Sequence, residues 1–475
     1  MSVPGNGRRV ALVAGCRTPF CKAGTALKEI AAVDLARHAV VELIHRTNLD
    51  VTSVDEMYFG QVVQSVLVPN LAREVSLLPQ FPRSIPAASI NRACASANAA
   101  ISLAHDQIAL GHARMVIAGG AESLSDIPIL HSRRFAELLI GLSKARTLEE
   151  RWRLLMGFRP KDLVPVTPAI VEPSTGESMG QSAEKMAKLN GIGRDAQDRF
   201  ALRSHHLAAQ GTRDGRLTKE IAPFFPPRGG DPVRADNGIR PDTSLEQMSA
   251  LKPAFDRIYG TVTAANASPL TDGASALLLM SEEAAQALGY QPLAYVRSYA
   301  VAALDPGDQL LMGPAYAVPR ALDRAGITWQ ELGLVEMHEA FASQVLSNIQ
   351  AFESKRWAEE KLGRTAPVGT VNWDTLNVMG GSIAIGHPFG ATGGRVTLTL
   401  ANEMVRRDVQ FGLISVCAQG GMGSRWCWSD GEQSIRHRAP RWDRASGPRC
   451  PGRAGQQDFQ SRARGAGRAA RRLAR

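Results

Sequence analysis

Two cysteines and two histidines stand where this chain could do chemistry. Cys94 lies in "NRACASANAA", where an apolar run gives way to small residues of helical pattern. A thiol there reads in two ways. It is either a nucleophile whose thiolate the positive end of a helix dipole favours, or a small buried residue in tight packing. His387 lies in "GGSIAIGHPFGATGG", among glycines that let backbone approach a ligand and present an imidazole. Cys417 ends an apolar run at "ISVCAQGGMG", and His338 ends another at "LVEMHEAF". A thiol that can be a nucleophile, in the company of imidazoles and a second thiol, makes these residues candidates for chemistry.

The elements that must position these residues alternate between strand and helix. "RRVALVAGCRTPF" reads as a buried strand leaving into a loop, and "AAVDLARHAVVELIHRT" has helical periodicity. "SIPAASINRACASANAAISLAHDQIALGHARMVIAGGAES" gives strand, turn, small-residue helix and a continuous apolar strand ending in glycines. Residues 284–424 repeat that order, closing on "SIAIGHPFGATGGRVTLTLANEMVRRDVQFGLISVCAQGG". The pattern predicts a doubly wound α/β fold of two related βαβ-type halves packed in layers. The first half spans 1–125, completed by 255–283, and the second spans 284–424. Between them, 126–254 reads as an inserted helical loop domain with Pro- and Gly-rich joints such as "FFPPRGGDP". Residues 133–158 read either as a cover packed on their own domain or as a face for a partner or membrane. In such a fold all four residues sit at strand ends and converge on the carboxyl edge of the sheets, where ligands bind.

Composition narrows the function classes. The chain is 475 residues long, 44% hydrophobic and 21% charged, which is ordinary globular composition. No apolar run reaches membrane-spanning length, and the start lacks the h-region of a signal peptide. Six sparse cysteines without metal-type CxxC pairs fit a reducing cytoplasm, so a cytoplasmic location is expected. The net charge of +10 would suggest nucleic-acid binding. Its distribution argues otherwise, because the segment 425–475 holds thirteen Arg against four acids. The body is nearly neutral, and no nucleic-acid partner is expected.

"INRACASANAAISLAHDQI", "HEAF", "NVMGGSIAIGHPFGATG" and "CAQGGMG" resemble, in order and spacing, the four signature segments of thiolases. The resemblance covers residues 8 to 424, and "TVTAANASPLTDGASA" and "DNGIRPDTSLEQMSALKPAF" are similar to the β subunit of the fatty-acid β-oxidation trifunctional complex. It implies thiolytic cleavage of a 3-oxoacyl-CoA into acetyl-CoA and an acyl-CoA two carbons shorter. Cys94 would be the nucleophile, His387 its base, and Cys417 the acid/base at the acetyl-CoA enolate. His338 with His387 would hold the thioester oxygen, and the backbone N–H groups of Cys94 and Gln419 a tetrahedral oxyanion. Ser268, Gly386 and Gly420 would meet the substrate. Coenzyme A is then a co-substrate, with no tightly bound cofactor and no metal. The resemblance also implies a homodimer, a hydratase/dehydrogenase α subunit as partner, and at most peripheral membrane contact. Gln419 departs from the Gly or Ala usual there, so its side chain is expected to point away from the pocket. Alternatives are a short-chain acetoacetyl-CoA thiolase and a catalytically impaired thiolase-like subunit. A β-ketoacyl synthase would use one Cys and two His, and Cys417 counts against it.

The sequence changes character at Arg425. Trp426-Cys427-Trp428 must be encoded TGG TGY TGG, and one base later that DNA reads Val-Leu. A one-base shift would replace an apolar final strand of the Gly-Ser-Ala-Met-Val-Leu-Glu type with "GSRWCWS". On this reading 425–475 is an aberrant basic tail, disordered and outside the fold. The competing reading is a genuine arginine arm.

Overall fold

The computed structural model describes residues 7–165, 171–227 and 229–430. Its strands are β1 (Val10–Arg17), β2 (Cys21–Lys22), β3 (Glu56–Gly60), β4 (Ala87–Ile90), β5 (Met115–Glu122), β6 (Thr271–Ser281), β7 (Ala294–Ala303), β8 (Leu334–Met337), β9 (Phe411–Ala418) and β10 (Met422–Ser429). Hydrogen bonding orders them β4-β3-β5-β6-β1-β7-β10-β9-β8, with the short β2 on β6. β5, β6 and β9 are apolar runs buried on both faces, as their lack of alternation requires.

The order contains a repeat. β3-β5-β6-β1 in the first half is matched by β8-β9-β10-β7 in the second. In each, the first pair is parallel and the next two pairings are antiparallel. β1 and β7 join the halves through Ala11↔Tyr295 and Leu12↔Ala294. The helix Thr392–Arg407 packs on strands of both halves and on the helix Ser96–Ala109. Small side chains make that packing close. A Cβ on Gly120 would lie 1.9 Å from the carbonyl oxygen of Gly390, so the turn carrying His387 rests directly on β5.

The inserted segment divides into an outer and an inner part. Helices Arg133–Lys144 and Leu148–Met156 bury no residue, leaving Ile140, Trp152 and Met156 exposed. Helices Met179–Leu189 and Arg194–Arg213 instead pack on Ala342–Glu353, and the second also on the turn Ser382–Ile385. No described helix is long and apolar enough to cross a membrane.

The expectation that the fold ends at residue 424 is corrected by β10. Arg425 to Ser429 are paired on both sides, Arg425 with Ala300 of β7 and Ser415 of β9. All five are buried. Pairing on two sides satisfies the backbone, and that holds these residues in the sheet whatever their side chains. Trp426 stacks on Tyr299 at 4.8 Å and on Trp428 at 5.8 Å. The side chains fit less well. Arg425 Nε and Nη2 and both indole N–H groups are buried without a hydrogen-bond partner. Burial drives the Arg425 guanidinium well below its ordinary pKa, and no carboxylate faces it among the described residues. The tail from residue 431 onward lies outside the described residues.

Candidate active site

Cys94 sits in the turn between β4 and the helix Ser96–Ala109. Ala93, just before it, is held at φ +46°, a left-handed conformation that costs an L-residue about 1 kcal/mol or more. The turn is fixed by its neighbours: Asn91 Oδ1 accepts from Ala93 N–H, and Ser96 Oγ accepts from Arg92 N–H. The sulfur is thereby presented from a rigid corner, with the residue half-buried.

Two histidines meet it from the other half. His338 follows β8, its N–H bonded to the Ser415 carbonyl of β9. His387 follows Gly386, whose φ of +115° and contact with Thr271 admit only glycine. The segment 265–270 braces both: Ser268 N–H bonds to Ala340 O, and His387 N–H to Pro269 O. Ser268 is half-buried beside them. The imidazole centroids are 4.1 Å apart, and a nitrogen of each ring and Cys94 Sγ lie within 4.8 Å of one another. His338 Nδ1 is 2.9 Å from Ser382 Oγ, and His387 Nδ1 is 2.6 Å from Thr392 Oγ1. Both Nε2 atoms are buried without a partner. They are the atoms left for chemistry. One thiol and two imidazoles are also a donor set that a soft divalent ion could use.

The fourth residue, Cys417, is buried at the end of β9, close enough to Cys94 for that thiol to raise its cost of ionising. Burial first, and then Cys94, hold it well above an ordinary thiol pKa, so it carries its proton. The loop after it turns through Gly420 and Gly421, both at positive φ. Against burial, the backbone N–H groups of Gln419 and of Cys94 itself favour the ionised form of the Cys94 sulfur. The Gln419 side chain turns away, donating to Val171 O at 2.9 Å, and Gly420 N–H donates to Glu172 Oε2 at 2.9 Å.

Electrostatics corrects one expectation. The helix dipole does not make Cys94 a resting thiolate, because burial outweighs every other influence and pushes its thiol up to about 12. Burial, then Arg395, lowers His387 to about 3; burial, then His387 and Arg395, hold His338 well below the ordinary value. The resting site is a neutral thiol beside two neutral imidazoles.

Two family models account for the chain. The thiolase N-terminal domain matches residues 10–283, and the thiolase C-terminal domain matches 290–429. The chain belongs to the thiolase family. This thiolase is thus an acyltransferase, and its C-terminal match includes the whole of β10. Similar curated proteins include the 3-ketoacyl-CoA thiolases of Aeromonas salmonicida, 49% identical, and Pseudoalteromonas translucida, 48% identical; each match covers 88% of this chain and 96% of the relative. Among solved structures, human mitochondrial 3-ketoacyl-CoA thiolase matches with a TM-score of 0.75 at 31% identity, over 89% of this chain and 99% of the other. The Bacillus anthracis acetyl-CoA acetyltransferase also matches with 0.75, at 32% identity over 90% and 100%.

Sequence reasoning did not single out several residues of this thiolase that shape the site. Ser382 and Thr392 stand inside the quoted glycine-rich stretch, but a hydroxyl among glycines gives no sign of which ring it will meet. Arg395 and Glu122 are buried charges in apolar runs, a signal that pattern reading passes over. Glu172 lies in the insertion, far in sequence from the Gly420 it holds.

Proposed function

We propose that this thiolase is a 3-ketoacyl-CoA thiolase acting in fatty-acid β-oxidation, with Cys94, His387, Cys417 and His338 as its catalytic residues. The observation that carries this is the grouping of the Cys94 thiol with two imidazoles whose Nε2 atoms are buried and unpartnered. Sulfur cannot be pre-ionised at such a site, so its proton leaves for His387 as the S–C bond to the 3-oxo carbonyl forms. The N–H groups of Cys94 and Gln419 then hold the oxyanion. Breaking the Cα–Cβ bond leaves an enolate, which the Cys417 thiol protonates to acetyl-CoA. The enolate oxygen is held by His338 and by the proton that His387 has acquired. The thiol of a second CoA attacks the Cys94 thioester and releases the shortened acyl-CoA. The proton that this CoA loses replaces the one that Cys417 gave, and the one that His387 took returns to Cys94, restoring the starting site.

CoA fits along a groove of about 510 Å³ lined by Arg240, Thr243, Met248 and Ala265. Arg240 offers a cation to phosphate there, and Ser268 stands at the inner end of the same segment, beside the pantetheine thiol's path. Gly386 and Gly420 give the backbone room at the reacting end. No cofactor is needed beyond CoA as co-substrate. The substrate is a medium- or long-chain 3-oxoacyl-CoA, in keeping with the long insertion. The enzyme acts in the cytoplasm as a homodimer. The uncharged, half-buried edge strand β4 supports pairing with a second copy, and the exposed Ile140, Trp152 and Met156 suit an α subunit or peripheral membrane contact.

A thiolysis assay across chain lengths tests this reading. Loss of the magnesium-enolate absorbance of C8–C16 3-oxoacyl-CoA on CoA addition is expected. Activity confined to the four-carbon substrate would reassign the protein as a short-chain acetoacetyl-CoA thiolase, and none at all would mark an impaired subunit.

A further inference from the structure

The two histidines are neutral, and each therefore carries one ring proton whose place decides what it can do. Their Nδ1 partners are both hydroxyls, but the hydroxyls differ in where their own protons can go.

Ser382 Oγ receives a hydrogen bond from Arg395 Nη2 at 3.0 Å. Among the described residues its hydroxyl proton has one acceptor, His338 Nδ1 at 2.9 Å. Were His338 Nδ1–H the donor instead, a buried hydroxyl would be left with nowhere to donate, at about 1–3 kcal/mol. Arg395 is fully buried and cannot reverse its role, because a guanidinium only donates. His338 Nδ1 is therefore the acceptor, and its proton is on Nε2. Thr392 is different. Its hydroxyl has an outlet at the Pro388 carbonyl, 3.1 Å away, so Oγ1 is free to accept from His387 Nδ1–H at 2.6 Å. His387 Nε2 then bears the lone pair.

We propose that Ser382, fixed by Arg395, and Thr392 are positioning residues that hold the paired histidines in opposite tautomers. His338 is thereby an Nε2–H donor and His387 an Nε2 base. The assignment for His387 rests on its role as the base in the reaction above; that for His338 stands on the hydrogen bonds alone. The pairing also explains how one thiol can face two similar imidazoles and lose its proton to only one. In the same arrangement His338 presents a proton rather than a lone pair, which leaves the Cys94–His338–His387 cluster one donor short of a three-ligand metal site.

The test separates the two hydroxyls by what each variant changes. Thr392→Val removes the acceptor for His387 Nδ1–H. Alkylation of Cys94 by iodoacetamide at pH 8 should fall about tenfold or more, and Thr392→Ser should restore it. Ser382→Ala should leave that alkylation rate within about twofold, since His338 is not the base, while lowering thiolysis kcat about tenfold or more with little change in KM. Long-range ¹H–¹⁵N spectra of the ¹⁵N-histidine-labelled wild-type chain read the tautomers without any substitution, the two rings being assigned from His338→Asn and His387→Asn. A protonated Nε2 on His338 and a protonated Nδ1 on His387 are expected. The same tautomer on both rings would overturn the proposal, as would equal loss of alkylation in Ser382→Ala and Thr392→Val. Absence of thiolysis in the wild type would refute the proposed reaction, while the spectra and the alkylation rates would still decide the tautomers.

Discussion

Gln419 and Val171 are joined by a hydrogen bond of 2.9 Å from the side-chain amide to the backbone carbonyl. The loop after Cys417 is thus tied to the segment inserted into the first half, and Gly420 N–H to Glu172 Oε2 is a second tie beside it. The long side chain at 419 is accommodated because it leaves the pocket and finds an acceptor there. Its own N–H still favours the ionised form of the Cys94 sulfur. Glu172→Ala breaks the second tie and leaves Gly420 N–H without its acceptor, a loss of about 1–2 kcal/mol. Thiolysis kcat should drop several-fold, while KM for the acyl-CoA changes less. Steady-state kinetics and thermal melts of the two proteins check this.

The division of labour between the cysteines gives a sharper prediction. Cys94→Ala should abolish transfer of radiolabelled acyl groups from acyl-CoA to the protein. Cys417→Ala should keep that transfer and lose carbon–carbon cleavage by about a hundredfold or more. Label appearing on the Cys94 variant would remove Cys94 from the nucleophile's role.

The pH dependence of Cys94 reactivity follows from the neutral resting site. His387 is lowered to about 3, so it is already an uncharged base throughout the range from pH 5 to 9. Cys94 is raised to about 12, so thiolate stays scarce over that range and grows with pH. Because the thiol gives its proton to His387 as it is alkylated, the rate should stay nearly flat over that range, with no inflection near 6.5. A clear step there, in a plot of rate against pH, would mean that the imidazole titrates normally and is less buried than described.

Glu122 accepts from the N–H groups of Val62, Val63 and Gly390, linking the strand-end loops around the site. Burial outweighs those donors and raises its carboxyl to about 7. The folded pKa lies above the unfolded value, so its contribution to stability is complete below about 4.5 and is lost as pH climbs through 7. Glu122→Gln lacks this slope. The wild type's advantage over the variant should therefore shrink between pH 5 and 8, by about 3 kcal/mol at most. Denaturant midpoints at the two pH values measure it, and a gap that widened would contradict the sign.

The last prediction concerns β10. Among the described residues the buried Arg425 guanidinium has no carboxylate partner; it meets the Pro314 carbonyl at 3.4 Å and the face of Phe352. Replacing it with an apolar residue removes a desolvated charge, so Arg425→Met should raise stability by about 2 kcal/mol or more. Changing residues 425–429 together to Ala-Met-Val-Leu-Glu should raise it further, since both orphaned indole N–H groups go as well. A fall in melting temperature in either variant would show that this strand is adapted to the residues it has. Resequencing the gene across Gly423–Gly431 reads the frame directly.

The sequence by itself singled out the candidate residues of the site and the plan of the fold. Glycine-rich turns, small-residue helices and apolar runs are local signals, and they sufficed to bring out Cys94, His338, His387 and Cys417 and the doubled strand order. Three matters were decided only in the tertiary structure. The protonation of the thiols and imidazoles was one, because burial by distant elements exceeds the dipole of the helix beside Cys94. The partners of the histidines were another: Ser382 lies 44 residues from His338, and Arg395 reaches it from a helix of its own. The end of the fold was the third. Side-chain chemistry marks Arg425 as the start of a tail, yet β7 and β9 together offer a two-sided ladder, and the backbone hydrogen bonds of Arg425–Ser429 keep an ill-suited segment in the sheet.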